Sequence, residues 1–159
     1  MMRSEILDLA KQRGVMIATA ESCTAGMVAA ALTDLAGSSA VFERGFVTYT
    51  NRAKIEMLGV QQQTLEAHGA VSEQVAQEMA QGALRNSGAQ LTVSLTGIAG
   101  PGGSEHKPEG RVCFGVASAD GCFNETVEFG ALGREAVRCA ARDHALGLLQ
   151  NALLQMPPK

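Results

Sequence analysis

Apolar and polar residues alternate in short, regular blocks along this chain of 159 residues. Runs rich in aliphatic, β-branched and aromatic residues predict five strands, at 15–20, 40–50, 91–95, 111–118 and 122–129. Stretches in which apolar residues recur at helical spacing predict six helices, at 4–14, 27–32, 51–58, 61–68, 72–88 and 134–154. Helices therefore stand before, between and after the strands.

This order of elements predicts an α/β fold. Asp120 and Gly121 stand between the last two strand patterns, and an Asp-Gly pair in that position is a strong signal for a β-hairpin. We expect a three-layer α/β/α arrangement with a mixed, mostly parallel central sheet and one late β-hairpin. The sequence contains no internal repeat or linker, so residues 1–159 are predicted to form a single domain.

Polar residues follow three of the predicted strands. These strand ends are Glu21-Ser22, Tyr49-Thr50-Asn51 and Thr96-Gly97. In open α/β sheets, ligands bind beyond the carboxyl ends of the strands. The three segments therefore predict a functional site at one edge of the sheet.

Ser22 is the candidate nucleophile, because it lies where the first strand is predicted to turn directly into a helix. The first N–H groups of such a helix have no partner within it and lie at the positive end of its dipole, which suits an oxyanion. The alternative is that Ser22 or Thr24 only caps the helix. Cys23 is a rival nucleophile on paper, although a small buried hydrophobe is its more common role.

Lys54 is one of four lysines in the chain and lies in the first turn of the helix predicted at 51–58. A cation there opposes the helix dipole by about 0.3–1 kcal/mol, which indicates that another requirement places it. Burial would lower its pKa toward the range of a general base. The three histidines offer no Ser-His-Asp relay, so Lys54 is the predicted base for Ser22. The alternative is a solvated lysine paired with an acid such as Glu56.

Three arginines, Arg134, Arg138 and Arg142, recur every four residues along the last predicted helix. Arg134 lies at the helix start, where its charge opposes the dipole unless an anion joins it, and its planar guanidinium suits a phosphate. Arg138 and Arg142 are predicted to belong to a surface stripe of ion pairs.

A glycine-rich loop follows the third predicted strand, from Gly97 to Gly110. Its first half, Gly97–Gly103, suits a phosphate cradle built from backbone N–H groups. A flexible connection that uses glycine for its turns is the alternative. The sequence after this segment fits neither a P-loop nor a dinucleotide-binding fingerprint.

Composition narrows the class of protein. A net charge of −3 without a run of basic residues argues against a nucleic-acid partner. The four cysteines have no neighbours at metal-binding spacing, so no metal site is expected. No apolar run approaches the roughly 18 residues of a membrane span, and no signal peptide is recognisable. We expect a reduced, cytoplasmic protein without a membrane partner.

Five motifs together carry a resemblance to a known family. They are A-E-S-C-T-A-G (20–26), T-Y-T-N-R-A-K (48–54), G-A-V-S (69–72), T-G-I-A-G-P-G-G (96–103) and G-R-E-A-V-R (133–138). In this order and spacing they resemble the CinA C-terminal domain family, over nearly the whole chain. The characterised activity of that family is nicotinamide-nucleotide amidohydrolase, or NMN deamidase.

The resemblance implies hydrolysis of the carboxamide of nicotinamide mononucleotide (NMN), which gives nicotinic acid mononucleotide and ammonia and serves pyridine-nucleotide recycling. It implies that Ser22 is the nucleophile, that Lys54 is its general base, and that Tyr49 assists them by hydrogen bonding. The implied substrate-binding residues are Glu21, Thr24, Gly26, Asn51, Thr96, Gly97, Gly100, Gly102 and Arg134, of which Arg134 contacts the phosphate. No metal or organic cofactor is implied, and a homodimer is compatible with the family.

Two departures from the family pattern keep other functions open. Ala25 stands where the family usually has glycine, and its methyl group is expected to tighten the turn or narrow the pocket. The N-terminal molybdopterin-binding-like domain of many relatives is not expected here. A non-catalytic module that binds a nucleotide or a protein partner, and hydrolysis of another amide or ester, are therefore the alternatives.

Overall fold

A computed structural model describes residues 2–159 of the chain. Its strands are β1 (Ile17–Glu21), β2 (Phe42–Val47), β3 (Leu91–Gly97), β4 (Arg111–Ser118) and β5 (Gly121–Glu128). Its helices are α1 (Met2–Arg13), α2 (Met27–Leu32), α3 (Asn51–Leu58), α4 (Gln62–His68), α5 (Glu73–Arg85) and α6 (Arg134–Gln155), and one 3-10 turn covers Ser38–Ala40. Within these described residues, every predicted strand and helix is confirmed; the boundaries at 27–32, 51–58 and 111–118 are the same, and the others are shifted.

The five strands form one sheet in the order β2-β1-β3-β4-β5. Strand β1 is parallel to both of its neighbours, β2 and β3. Strands β3, β4 and β5 are successively antiparallel, and the last two form a hairpin that closes where Ser118 pairs with Gly121. The predicted mixed sheet and late hairpin are therefore confirmed.

Helices cover both faces of the sheet. On one face, α1, α2 and α6 enclose a core that includes Ile6, Val93 and Leu146. On the other face, α3, α4 and α5 enclose a second core around Leu58 and Met79. The protein is thus a three-layer α/β/α structure, as the sequence predicts. No helix among residues 2–159 combines the length and the apolar character that crossing a membrane requires.

The largest boundary difference concerns the second strand, which was predicted to reach Thr50 but ends at Val47. Thr50 instead caps α3, because its hydroxyl accepts a hydrogen bond from the N–H of Ala53 at 3.0 Å. The segment between the strand and this cap leaves the carbonyl groups of Thr48 and Tyr49 outside the sheet. Both carbonyls face the candidate active site.

Candidate active site

A cavity of about 350 Å³ lies beyond the carboxyl ends of β1 and β3. All three of the strand ends that were predicted to converge contribute to its lining. The predicted site residues that line it are Ser22, Tyr49, Asn51, Lys54, Thr96, Gly97, Gly100 and Arg134. The structure thus gathers residues that are up to 112 positions apart in sequence into one cavity.

Ser22 and Lys54 are in direct contact at the base of this cavity. Lys54 Nζ lies 2.9 Å from Ser22 Oγ. Ser22 directly follows β1, and its N–H donates to the carbonyl of Leu95 at 3.1 Å, which attaches the candidate nucleophile to the neighbouring strand β3. Lys54 lies in α3 and is only 1% exposed. The alternative of a solvated surface lysine is therefore wrong.

Two carbonyl groups fix the orientation of the Lys54 amine. Nζ lies 3.1 Å from the carbonyl oxygen of Thr48 and 3.2 Å from that of Tyr49. A neutral amine has two N–H donors and one lone pair. With both donors directed to carbonyl oxygens, the lone pair is left to accept the proton of the Ser22 hydroxyl. This geometry is the one that a general base requires.

Burial also shifts the pKa values of Lys54 and Cys23. It lowers the pKa of Lys54 from 10.5 to about 8, because a buried ammonium loses hydration, while Cys23 and Glu105 partly oppose this shift. Burial raises the pKa of Cys23 to about 11. The neutral form of Lys54 is therefore more populated near neutral pH than that of an exposed lysine, whereas Cys23 stays a protonated thiol and a poor nucleophile.

Tyr49 contacts the Ser22–Lys54 pair through its main chain and not through its side chain. Its carbonyl oxygen accepts from Lys54 and lies 3.5 Å from Ser22 Oγ. Its phenol is 56% exposed and accepts a hydrogen bond from Arg134 Nη2 at 2.8 Å. The expected hydrogen bonding by Tyr49 therefore comes from the backbone, because the side chain points toward the rim of the cavity.

The Glu21 carboxylate occupies the N-terminus of α2 from inside the protein. It accepts hydrogen bonds from the N–H groups of Val28 and Ala29 at 2.9 and 3.0 Å, and from the Thr24 hydroxyl at 2.6 Å. The prediction that α2 offers these N–H groups to an oxyanion is therefore wrong. The expectation that the side chains of Glu21 and Thr24 contact the substrate is corrected as well, because both residues are fully buried and their side chains are bonded to each other.

Arg138 holds the other side of the turn that follows β1. Its Nε donates to the carbonyl of Cys23 at 2.9 Å, and its Nη2 donates to the carbonyl of Thr24 at 3.4 Å. The expectation that Arg138 belongs to a surface stripe of ion pairs is thus wrong. Arg142 does form such a pair, with Asp143 at 2.9 Å.

The glycine-rich loop is braced by Glu109. One carboxylate oxygen of Glu109 accepts from the N–H of Gly102 at 2.7 Å, and the other accepts from the N–H of Gly133 at 3.2 Å. Gly100 has a φ of +92°, and a Cβ there would lie 2.5 Å from the Glu109 side chain, so only glycine fits. Gly102 and Gly26 lie outside the cavity lining, and their contact with a substrate stays a prediction.

Arg134 stands at the first position of α6 and reaches over the cavity. Its Nη1 donates to the carbonyl of Gly100 at 2.8 Å, while its Nη2 holds the phenol of Tyr49. These bonds leave further N–H groups of the guanidinium for an anion. The Thr96 side chain faces away from this rim, since its hydroxyl donates to the carbonyl of Ala70 at 2.9 Å.

The cavity also contains four residues that were not singled out from the sequence: Ala70, Val71, Ser104 and Glu105. Its remaining lining residues are Cys23, the rival nucleophile, and Ile98, Ala99 and Pro101 of the predicted phosphate cradle. Ala70 and Val71 belong to the short motif at 69–72, which was the signal that could have placed them. Glu105 is the only acidic residue of this lining. Its position in a glycine-rich loop, beside a predicted phosphate site, is the feature of the sequence that could have identified Glu105.

Ala25 adopts a left-handed backbone conformation, with a φ of +47°. The residue is exposed and does not line the cavity. Its methyl group therefore does not narrow the pocket, and the consequence of having alanine here is backbone strain.

No group of three or more His, Cys, Asp or Glu side chains within residues 2–159 is arranged to hold a metal ion. The functional groups of the cavity lining include the Ser22 hydroxyl, the Lys54 amine, the Arg134 guanidinium and the Glu105 carboxylate.

Comparison with known proteins places this geometry in a family. The family model described as "CinA C-terminal domain" matches residues 1–153. The chain is 51% identical over 160 aligned residues to the nicotinamide-nucleotide amidohydrolase PncC of Escherichia coli strain K12, and the match covers 96% of this chain and 97% of that protein. It is 58% identical to a CinA-like protein of Chloroherpeton thalassium, but that match covers 74% of this chain and only 28% of the longer relative.

Solved structures agree with the sequence matches. The crystal structure of the competence damage-inducible protein A (ComA) from Klebsiella pneumoniae superposes with a TM-score of 0.94 at 36% identity, and the match covers 98% of this chain and 97% of that one. The fold, the order of the motifs and the full-length match agree with one another. The chain therefore belongs to the CinA C-terminal domain family.

Proposed function

We propose that this protein is a nicotinamide-nucleotide amidohydrolase, which hydrolyses NMN to nicotinic acid mononucleotide and ammonia. The observation that carries the proposal is the contact of 2.9 Å between the Lys54 amine and the Ser22 hydroxyl in a cavity that also contains Arg134. The name and the 51% identity of the Escherichia coli relative support the choice of substrate.

In the proposed reaction, Ser22 Oγ attacks the carboxamide carbon of NMN and transfers its proton to Lys54 Nζ. The tetrahedral intermediate then breaks its C–N bond, and the Lys54 ammonium returns the proton to the leaving nitrogen, which departs as ammonia. A water molecule next attacks the resulting ester, with Lys54 again accepting a proton. The carboxylic acid is released, and Ser22 regains its hydroxyl.

An oxyanion forms in both halves of this reaction, and the turn after β1 offers a donor for it. Arg138 holds the carbonyl of Cys23. In a trans peptide the following N–H points the opposite way, so the N–H of Thr24 points away from Arg138. We assign the oxyanion contact to this group, since the N–H groups of Val28 and Ala29 donate to Glu21.

The opposite end of the substrate is assigned to Arg134 and the glycine loop. A nucleotide phosphate matches the planar fork of Arg134, whose orientation is fixed by Gly100 and Tyr49. Asn51 is exposed at the same rim, at the first position of α3. In this arrangement the carboxamide lies at the Ser22–Lys54 pair and the phosphate lies at the rim.

Ammonia release from NMN by the purified protein, with Ser22→Ala alongside, tests the proposal. Ser22→Ala should reduce turnover by at least about 10³-fold, because the acyl-enzyme no longer forms. Ser39→Ala, at an exposed site outside the cavity, is the matched control and should behave like the wild type. Wild-type turnover in Ser22→Ala would disprove the Ser-Lys mechanism.

A folded wild-type protein that releases no ammonia would disprove the activity itself. Stabilisation by NMN without turnover would then favour the nucleotide-binding module. A role in pyridine-nucleotide recycling, a cytoplasmic location and a homodimer remain predictions from the sequence and the family resemblance.

A further inference from the structure

The Glu105 carboxylate has no partner within the described chain, although it lines the same cavity as Ser22, Lys54 and Arg134. Among residues 2–159 it forms no hydrogen bond and no ion pair. The carboxylates of Glu21 and Glu109, by contrast, each accept hydrogen bonds from backbone N–H groups. An acid without a partner in a binding cavity is available to a ligand.

The fold holds Glu105 at this position. Lys107, two residues later, donates to the carbonyls of His68 and Val71 at 2.6 and 2.5 Å and fastens the loop to the segment after α4. Gly69 gives the Glu105 side chain its room, because a Cβ on Gly69 would lie 2.6 Å from Glu105 Oε2. The acid therefore lies over Gly69 and faces the cavity.

The charge of Glu105 does not favour the proposed reaction in the empty site. Its carboxylate raises the pKa of Lys54 and so favours the ammonium form, which cannot accept a proton. An acid that holds Lys54 in its protonated form is best explained by a positive charge that arrives with the substrate. Two cations of the protein lie near Glu105 without bonding to it. Lys107 Nζ would lie 2.8 Å from a Cβ on Gly69, but it donates to the carbonyls of His68 and Val71, and Arg134 donates to the Gly100 carbonyl and the Tyr49 hydroxyl.

NMN brings such a charge. Its nicotinamide ring is attached to the ribose through the ring nitrogen, so the ring is a pyridinium cation, while the phosphate at the other end is an anion. The cavity contains one carboxylate and one guanidinium around the Ser22–Lys54 pair. The charges of the cavity are therefore opposite in sign to the two charges of the substrate.

We propose that Glu105 recognises the pyridinium charge, so that the site selects nucleotides with an oxidised, cationic nicotinamide ring over the reduced, uncharged ring. This inference rests on the proposed function. When the cation is bound, its charge offsets that of Glu105 beside Lys54. Substrate binding thus restores the neutral amine that accepts the proton of Ser22.

The test compares two ligands on two proteins by calorimetry. Both proteins contain Ser22→Ala, so that neither ligand is consumed, and one also contains Glu105→Gln, which keeps the size of the side chain and removes its charge. The ligands are NMN and its 1,4-dihydro form. We expect Glu105→Gln to weaken NMN binding by roughly five- to tenfold and to change binding of the dihydro form by less than about twofold.

His106→Asn is the matched control, because His106 is the neighbouring exposed residue with a positive φ and does not line the cavity. It should leave the preference between the two ligands unchanged. Equal weakening of both ligands by Glu105→Gln, or no weakening of either, would overturn the inference. Ammonia release by the wild type tests the proposed function separately, so the two ideas can fail independently.

Discussion

The turn that carries Ser22 and the loop that carries Glu105 border the same cavity but are held in different ways. The turn, Ser22–Gly26, is fixed by a buried carboxylate on one side and by an arginine on the other. Glu21 is fully buried and bonds to α2, and Arg138 reaches the turn from α6. Hydrogen bonds to charged groups contribute about 1.5–3 kcal/mol each, so this turn has few other conformations available to it.

The loop, Gly97–Gly110, is exposed over half of its residues and is attached at separate points by Lys107 and Glu109. Three of these bonds, from Lys107 to His68 and from Gly102 and Gly133 to Glu109, are exposed to solvent, where water competes for the same donors and acceptors, so each contributes less than a buried bond of the same kind. Segments with few buried contacts open at a lower free energy than the core does. We therefore expect the loop to be the part of the cavity that opens more readily.

This difference separates two tasks. The proposed reaction needs Ser22, Lys54 and the oxyanion donor at fixed distances, and these groups lie on the rigid side. The proposed recognition of the two charges of the substrate uses Arg134 and Glu105 at the rim, where a ligand can enter. Changes to the turn should therefore lower kcat, whereas changes to the loop should lower affinity.

The pH dependence of turnover is the largest effect that this comparison predicts for the intact protein. Lys54 must be neutral to accept a proton, and its pKa lies at about 8. The neutral fraction in the free enzyme rises with pH, so kcat/KM for NMN should rise about fiftyfold between about pH 6 and pH 8 and level off above about pH 9. Ammonia release across this range measures the profile.

The variant Glu105→Gln tests whether Lys54 is the group whose titration sets that profile. Because the Glu105 carboxylate raises the pKa of Lys54, its loss should move the midpoint of kcat/KM to a lower pH. A profile that is flat between about pH 6 and pH 8, or one that falls, would rule out Lys54 as the base. A midpoint that does not move would contradict the electrostatic link between loop and turn.

Arg138 gives the next largest effect, on the rigid side of the comparison. Arg138→Met removes both hydrogen bonds to the turn and leaves the carbonyls of Cys23 and Thr24 without them. We expect kcat for NMN to fall by about ten- to thirtyfold while KM stays within about twofold, because the reacting groups lose their alignment and the rim is untouched.

Arg142→Met is the matched control one helical turn further on, since Arg142 bonds only to Asp143 at the surface. Arg138→Lys should recover part of kcat by restoring a single donor. A rise in KM with unchanged kcat would mean that Arg138 contacts the substrate. Equal activity of the two methionine variants would mean that the turn needs no external support.

Much of the fold and the identity of the Ser22–Lys54 pair were predictable from local patterns. The strands, the Asp120-Gly121 hairpin and the layer arrangement follow from residue periodicity, because short stretches of chain decide it. The convergence of strand ends at one edge follows from the parallel pairing of β1 and β3. Lys54 could be chosen as the base because its charge is unfavourable at the start of a helix.

The parts that were mispredicted depend on where a side chain points in the folded protein. Glu21 was expected to face the ligand, but the turn directs its carboxylate back to α2. Arg138 was expected at the surface, although its partner Cys23 lies 115 positions earlier in the chain. Tyr49 was expected to assist the pair by hydrogen bonding, and it is its carbonyl that contacts Lys54, while its phenol bonds to Arg134. No sequence pattern records such long-range directions.

The smallest predicted effect concerns the one residue of the turn that departs from the family pattern. Ala25 has a φ of +47°, which costs an L-residue about 1–2 kcal/mol. Ala25→Gly removes this strain. The greater conformational freedom of glycine in the unfolded chain, however, destabilises the folded protein by about 0.5–1 kcal/mol. The variant should therefore be more stable by about 0.5 kcal/mol, with a Tm about 1–2 °C higher.

Thermal unfolding of Ala25→Gly beside Ala36→Gly separates strain from the ordinary cost of glycine. Ala36 is also exposed but is not among the residues with a positive φ, so its replacement should lower the Tm. Equal losses in both variants would show that Ala25 is not strained. Because the Ala25 methyl lies outside the cavity, turnover per folded molecule should change by less than about twofold. A many-fold rise would mean that the strain at Ala25 displaces Ser22, and that the turn is less rigid than its contacts with Glu21 and Arg138 imply.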